Sequence, residues 1–185
     1  MFNAFKVKKE DVKEENCCSV NSTQSCSSDS QSDGDNCCTP QPKGKEACPQ
    51  CHNKAKGVLV KTLEHLLTYE AKKEFTTFDG FHYCKTPSCE VVYFRGKDIL
   101  LQKDINVVVG LKEGASPATL CYCFEWSKER IREELIKEGE TVALDDIKAK
   151  MENPGCSCEV LNPSGGCCLG DVTKAIKEIK KDLGL

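Results

Sequence analysis

Cysteine spacing constrains this chain more than any other feature. Fifteen of its 185 residues are cysteine. They come in close pairs: Cys17–Cys18, Cys37–Cys38, Cys48–Cys51, Cys84–Cys89, Cys121–Cys123, Cys156–Cys158 and Cys167–Cys168, with Cys26 alone. Two chemistries explain such usage, a disulfide scaffold or metal ligation. A scaffold goes with an export signal, an even count and scattered single cysteines. Here the count is odd, and the opening MFNAFKVKKEDVKEEN has no apolar core that would read as a secretory signal. Adjacent or next-but-one cysteines seldom bridge each other without strain, but they can share an ion or a cluster. The reading is metal-bound thiolates in a reducing, cytoplasmic setting.

The rest of the composition excludes several classes. Formal net charge is −3, from 26 basic and 29 acidic side chains, so there is no electrostatic footprint for nucleic acid. No apolar run approaches the roughly 18 residues of a membrane span, so no membrane insertion is expected. No Ser/His/Asp or Cys/His pairing and no phosphate loop stands out. A conventional active site is therefore not expected, and bound metals would carry the chemistry.

Residues 1–46 read as a disordered Cys/Ser-rich tail. Seven serines fall within 19–36 and almost nothing there is apolar, which leaves too little surface to bury against the entropy of ordering. The folded part reads as α+β. A small β-rich zinc-knuckle unit, 47–115, precedes a helical unit, 116–185, with EGASPAT (113–119) as the linker. Strands are expected at GVLV (57–60), FHYC (81–84) and CEVVYF (89–94), with one or two more in 98–110. Thr62 is expected to cap a helix carrying Leu63, Leu66 and Leu67. In the second half, Ser127 should cap a helix with Ile131, Leu135 and Ile136, ended by Gly139. Thr141 should cap another with Leu144, Ile147 and Met151, broken by NPG at 153–155. Val172, Ile176, Ile179 and Leu183 form one apolar stripe on a last helix.

In the first half, Cys48, Cys51, Cys84 and Cys89 form C-x2-C…C-x4-C. Two short-spaced pairs at that separation are a strong zinc signature, and four thiolates close the tetrahedron, so the site would be structural. Rubredoxin-like iron is the alternative for the same soft S4 set. His52 and His82 adjoin these cysteines and are read as surface or packing residues. His65 lies on the Leu63–Leu67 helix and is read as a surface residue.

In the second half, Cys121-x-Cys123, Cys156-x-Cys158 and Cys167-Cys168 offer more thiolates than one [2Fe–2S] cluster needs, which is four. Spacing alone does not separate Cys156 from Cys158, or Cys167 from Cys168. Helix N-termini near Ser127 and Gly170 are expected to face the anionic cluster. The glycines of NPSGG (162–166) are expected to let backbone N–H groups approach sulfur.

The run CYCF…CxCEVxNPSGxCCLG resembles the [2Fe–2S] domain of the bacterioferritin-associated ferredoxin. More closely, the stretch 48–185, with CPQC, LEHLL, FHYCKTPSCEVVYF, VGLKE, CYCF and NPSGGCC, is similar to the iron–sulfur and zinc N-terminal region of CopZ-type copper chaperones. The resemblance implies Cys121, Cys123, Cys158 and Cys168 as [2Fe–2S] ligands and zinc at Cys48, Cys51, Cys84 and Cys89. It also implies a metallochaperone or metal-handling redox protein, with one-electron transfer that reduces Cu(II) to Cu(I). The implied partners are a soft metal ion, copper or mercury, and a metal transporter, a copper chaperone or a redox partner. A ferredoxin-like electron carrier or docking module is the alternative, and a cluster-loss sensor is a weaker third. The MxCxxC copper loop of the family's second domain does not occur in this sequence. Two readings of Cys17, Cys18, Cys37 and Cys38, with Cys26, stand side by side: capture of a soft ion such as Cu(I), or a tail that tolerates cysteine.

Overall fold

A meander of short strands supplies the frame of the first half. The computed structural model describes residues 44–185. The tail expectations, including those for Cys17, Cys18, Cys26, Cys37 and Cys38, lie outside the described residues. Strands β1 (Lys45–Ala47), β2 (Lys54–Gly57), β3 (His82–Tyr83), β4 (Val91–Arg95) and β5 (Asp98–Leu101) form one antiparallel sheet in sequential order. The sheet thus begins at Lys45, inside the stretch assigned to the tail by composition.

Between β2 and β3 the chain leaves the sheet through α1 (Val60–Leu66) and α2 (Tyr69–Lys73). The expected cap at Thr62 is wrong: α1 starts at Val60, three residues earlier than that cap implies, and Leu59 takes the cap position. Thr62 is fully buried inside α1 instead, and its hydroxyl donates to the Glu159 carbonyl. The strand expected at 57–60 is displaced as well: β2 covers Lys54–Gly57, Val60 already opens α1, and one further backbone bond runs from the Val58 N–H to the Phe81 carbonyl at 2.8 Å. Helix α2 was not foreseen, although its Thr68 cap accepts from the Ala71 N–H.

All but the last residue of β4 are buried. A register shift between Val91 and Tyr93 interrupts the period-two alternation. Val92 and Tyr93 therefore join the core formed with Leu63, Leu66 and Phe81, while Val91 and Phe94 join the cysteine-lined core on the other side.

The second half opens with a hairpin, β6 (Thr119–Cys121) and β7 (Trp126–Ser127), followed by α3 (Lys128–Glu138), α4 (Ala143–Glu152), α5 (Cys158–Leu161) and α6 (Leu169–Leu183). Ser127 caps α3 through the Arg130 N–H, and Gly139 ends it in the left-handed conformation at φ 76°, as expected. Ile136 departs from expectation: it is exposed, and Ile131 and Leu135 alone carry the buried face of α3. Trp126 is the central side chain, fully buried. Its indole N–H donates to Asp146 at 2.8 Å, and the Arg130 guanidinium sits 3.6 Å over its ring.

The halves are not loosely joined, and the described residues all fall within one compact unit. The buried Tyr93 hydroxyl donates to the Pro163 carbonyl at 2.7 Å. Lys61 pairs with Glu159, and Lys85 with Asp171 at 3.7 Å. Gly165, at φ 65°, packs so closely on Val58 and Thr62 that a Cβ would lie 3.0 Å from the Thr62 hydroxyl.

Candidate metal centres

The meander explains the first centre. In an antiparallel sheet of sequential strands, the first and third turns lie at the same end. CPQC is the turn from β1 to β2, and CKTPSC is the turn from β3 to β4. Cys48, Cys51, Cys84 and Cys89 therefore converge, with all four sulfurs within 4.8 Å of one another. Across the turns, Cys48 and Cys89 sulfurs are 3.8 Å apart and those of Cys51 and Cys84 are 3.6 Å apart. A tetrahedron with Zn–S of about 2.3 Å has edges of about 3.8 Å. The sulfurs are thus at ligand spacing for one tetrahedral ion.

Hydrogen bonds shape the acidity of these thiols. At Cys51 burial opposes ionisation, but the Thr86 hydroxyl, the Asn53 backbone N–H and the Cys84 and Cys48 thiols outweigh it and bring the group down to about 6. Thr86 lies 3.2 Å from the Cys51 sulfur and accepts from the Asn53 side-chain amide at 2.9 Å, which leaves its own proton for sulfur. Burial pushes Cys89 up to about 12 despite the Val91 N–H, and it also raises Cys48 despite the N–H groups of Cys51 and Gln50. A bound cation reverses that balance, since it favours every thiolate at once.

His52 follows the second cysteine of CPQC at φ 58°. It is exposed, and no sulfur depends on its side chain. This left-handed conformation costs a side chain about 1 kcal/mol and costs glycine almost nothing. His52→Gly is expected to stabilise the zinc-loaded chain by about 0.5–1 kcal/mol, which a thermal melt reads as a rise of about 1–4 °C. A fall would show that the imidazole has a partner of its own. His82 is buried and stacks on Phe94 with ring centroids 5.6 Å apart, a packing role as expected.

Sequence reasoning missed Lys112. Its ammonium donates to three carbonyls around the turn: Cys84 at 2.8 Å, Thr86 at 3.0 Å and Val91 at 2.7 Å. Burial lowers its pKa, while the four cysteines pull the other way. A lysine 23 residues beyond Cys89 carries no local signal in the sequence.

The second centre gathers cysteines from three places. Cys121 ends β6 and Cys123 lies in the β6–β7 turn; Cys158 opens α5, and Cys168 is the cap residue of α6. Cys123 and Cys158 sulfurs are 3.8 Å apart, and the Cys168 thiol interacts with those of Cys121 and Cys158. The Cys168 contact lowers Cys121 against burial, and contacts with Cys168, Cys123 and Cys156 bring Cys158 down to about 6. Burial pushes Cys123 up to about 12. Among the described residues, only the first centre has three or more ligand atoms all within 4.8 Å of one another, so the second set is more open.

The neighbouring cysteines differ in burial. Cys158 and Cys168 are buried, whereas Cys156 is exposed and Cys167 is half-buried. The amides that reach sulfur also differ from expectation. They come from Phe124 and Cys123 to Cys121, from Ser157 to Cys123, and from Cys168 to Cys158. The NPSGG glycines do something else: Gly165 N–H closes a turn on the Asn162 carbonyl at 2.8 Å, and Gly166 N–H donates to the Ser164 hydroxyl at 3.3 Å. Helix α3 begins after Ser127, as expected, with strand β7 between its start and the Cys121–Cys123 turn.

Residues 45–106 match the protein family described as a zinc binding domain of the CopZ type. They are a CopZ-type zinc-binding domain. The copper chaperone CopZ of Archaeoglobus fulgidus is 31% identical over 122 residues, 65% of this chain and 57% of that protein. This chain therefore spans little more than half the length of that relative. The X-ray structure of the Archaeoglobus fulgidus CopZ N-terminal domain superimposes with a TM-score of 0.60 at 29% identity, covering 69% of this chain and 95% of that domain. No helix among the described residues is long and apolar enough to cross a membrane.

Proposed function

We propose that the chain is a metal-handling protein of the copper-chaperone class, in which a structural zinc frames a redox-active [2Fe–2S] site. The observation that carries the second part is the convergence of Cys121, Cys123, Cys158 and Cys168 on one another. The donor set fits the group: four thiols, two per iron, with three of them buried. Its openness suits a two-iron cluster, whose ligand pairs stand apart, better than a single ion. Such a cluster, when bound, supplies one electron at a time.

The chain's own residues then have defined tasks. Amides of Cys123, Phe124, Ser157 and Cys168 stabilise charge on the ligand sulfurs, a recognised lever on reduction potential. The fully buried Trp126, together with α5 held by Thr62 at Glu159 and the NPSG loop held by Tyr93 at Pro163, keeps the thiols in place. The substrate in this reading is Cu(II), which takes one electron and leaves as Cu(I) for a transporter or a further chaperone. The kinship with a copper chaperone supports the choice of metal. The compartment in this reading is the reducing cytoplasm, where paired thiols stay available as ligands.

Anaerobically purified protein is expected to be coloured, with about two irons and one zinc per chain. Metal analysis with an assay for acid-labile sulfide tests this directly; zinc alone, with no sulfide, sinks the cluster. Stoichiometric Cu(I) formation from Cu(II) by the reduced protein would separate copper handling from a general electron carrier.

A further inference from the structure

We propose that Lys112 belongs to the zinc centre and that segment 108–112 is a strap coupling zinc occupancy to the Cys121–Cys123 turn. The proposal rests on zinc at the first centre and is independent of any cluster at the second.

An ammonium has three donors and no acceptor. All three of Lys112 are used, on the carbonyls of Cys84, Thr86 and Val91. Each of these residues bears on a ligand sulfur. Cys84 is itself a ligand, the Thr86 hydroxyl lies against Cys51, and the Val91 N–H points at Cys89. A divalent ion with four thiolates carries a net charge of about −2, for which an ammonium held at the carbonyls of this turn is a fixed counter-charge. The grip is reinforced one residue on, where the Glu113 N–H donates to the Pro87 carbonyl at 3.0 Å.

The other end of the strap holds the second turn. The Tyr122 hydroxyl accepts from the Gly110 N–H and donates to the Val108 carbonyl, both at 2.9 Å. Tyr122 is the residue between Cys121 and Cys123. Gly110 lets the strap lie directly against the start of β6, because a Cβ there would lie 2.1 Å from the Thr119 carbonyl oxygen. Zinc holds the carbonyls of the β3–β4 turn in place for Lys112. Lys112 in turn fixes the strap, and the strap fixes Tyr122. Without the ion the turn carbonyls lose their common geometry, and the cysteine turn loses its tether.

Amide hydrogen exchange of the full chain as purified, followed peptide by peptide, tests this. In Lys112→Met with zinc bound, exchange across 108–124 should rise at least about tenfold while α4 and α6 stay at wild-type rates. Zinc release to a competing chelator should accelerate by a similar factor. Tyr122→Phe leaves the zinc grip intact. It should raise exchange in 108–111 and 119–124 at an unchanged zinc release rate, and it decides the matter should Lys112→Met fold poorly. Wild-type exchange across 108–124 in both zinc-loaded variants overturns the proposal. Iron measured in parallel bears only on the cluster, so a failure there leaves this result standing.

Discussion

Cys48→Ala or Cys84→Ala is expected to empty the zinc site and melt the five-stranded sheet. Among the described residues, the two turns at that end are otherwise joined by contacts such as the Asn53–Thr86 hydrogen bond. β1 and β2 have only three and four residues, and β3 has two. The core on the metal side consists of Cys48, Ala55, Cys84, Cys89, Val91 and Phe94, so half of its members are cysteines of the first centre. Structural zinc contributes about 10–16 kcal/mol of apparent binding energy in small domains, comparable to the whole stability of an ordinary one at about 5–15 kcal/mol. Losing one of four thiolates should release essentially all the zinc and lower the melting temperature by more than about 15 °C. The damage should spread, because Tyr93 and Thr62 of the first half hold the 159–166 segment of the second. Elemental analysis and circular dichroism melts check both statements. Wild-type zinc in Cys48→Ala would overturn the four-thiolate assignment. Cys156→Ala, at an exposed position outside this core, is the matched control and should keep its zinc.

The convergence of the first four cysteines was legible because they sit in two short sequence motifs, and a meander needs no long-range information to bring alternate turns together. The helix ends around Ser127 and Gly139 were legible for the same local reason: cap chemistry and a left-handed glycine are written where they act. What escaped is non-local. Thr62 looks like a cap by composition, but its hydroxyl serves a carbonyl 97 residues away. Ile136 fits the apolar spacing of α3, yet among the described residues it stays exposed. The NPSGG glycines suggested amides for sulfur. Their amides instead build the loop, and the donors come from residues flanking the cysteines. Lys112 was invisible because its partners are main-chain carbonyls, which every residue possesses. The β4 bulge escaped for a related reason, since a run of four buried residues reads equally well as an ordinary two-sided strand.

Substitution of the second set of cysteines should divide them into two classes. Under the proposed cluster, Cys121→Ala, Cys123→Ala, Cys158→Ala and Cys168→Ala each leave an iron short of a thiolate, and the visible spectrum should vanish with at least about tenfold less iron bound. Cys156→Ala and Cys167→Ala should keep most of both. The basis is position. Cys121 and Cys168 are almost completely buried, at 0% and 1% exposure, and Cys158 is at 9%. Cys168 is fixed as the cap residue of α6, so Cys167 can take its place only if the helix start shifts. Cys156 is a closer substitute, because its thiol already contacts that of Cys158. It nevertheless lies before the first turn of α5, on the exposed side, and cannot enter the site without drawing Ser157 with it. The Ser157 N–H serves the Cys123 sulfur, so a Cys156-ligated form should lose that hydrogen bond as well. A spectrum kept in Cys158→Ala and lost in Cys156→Ala would reverse the assignment. Iron unchanged in all six variants would place any iron elsewhere on the chain.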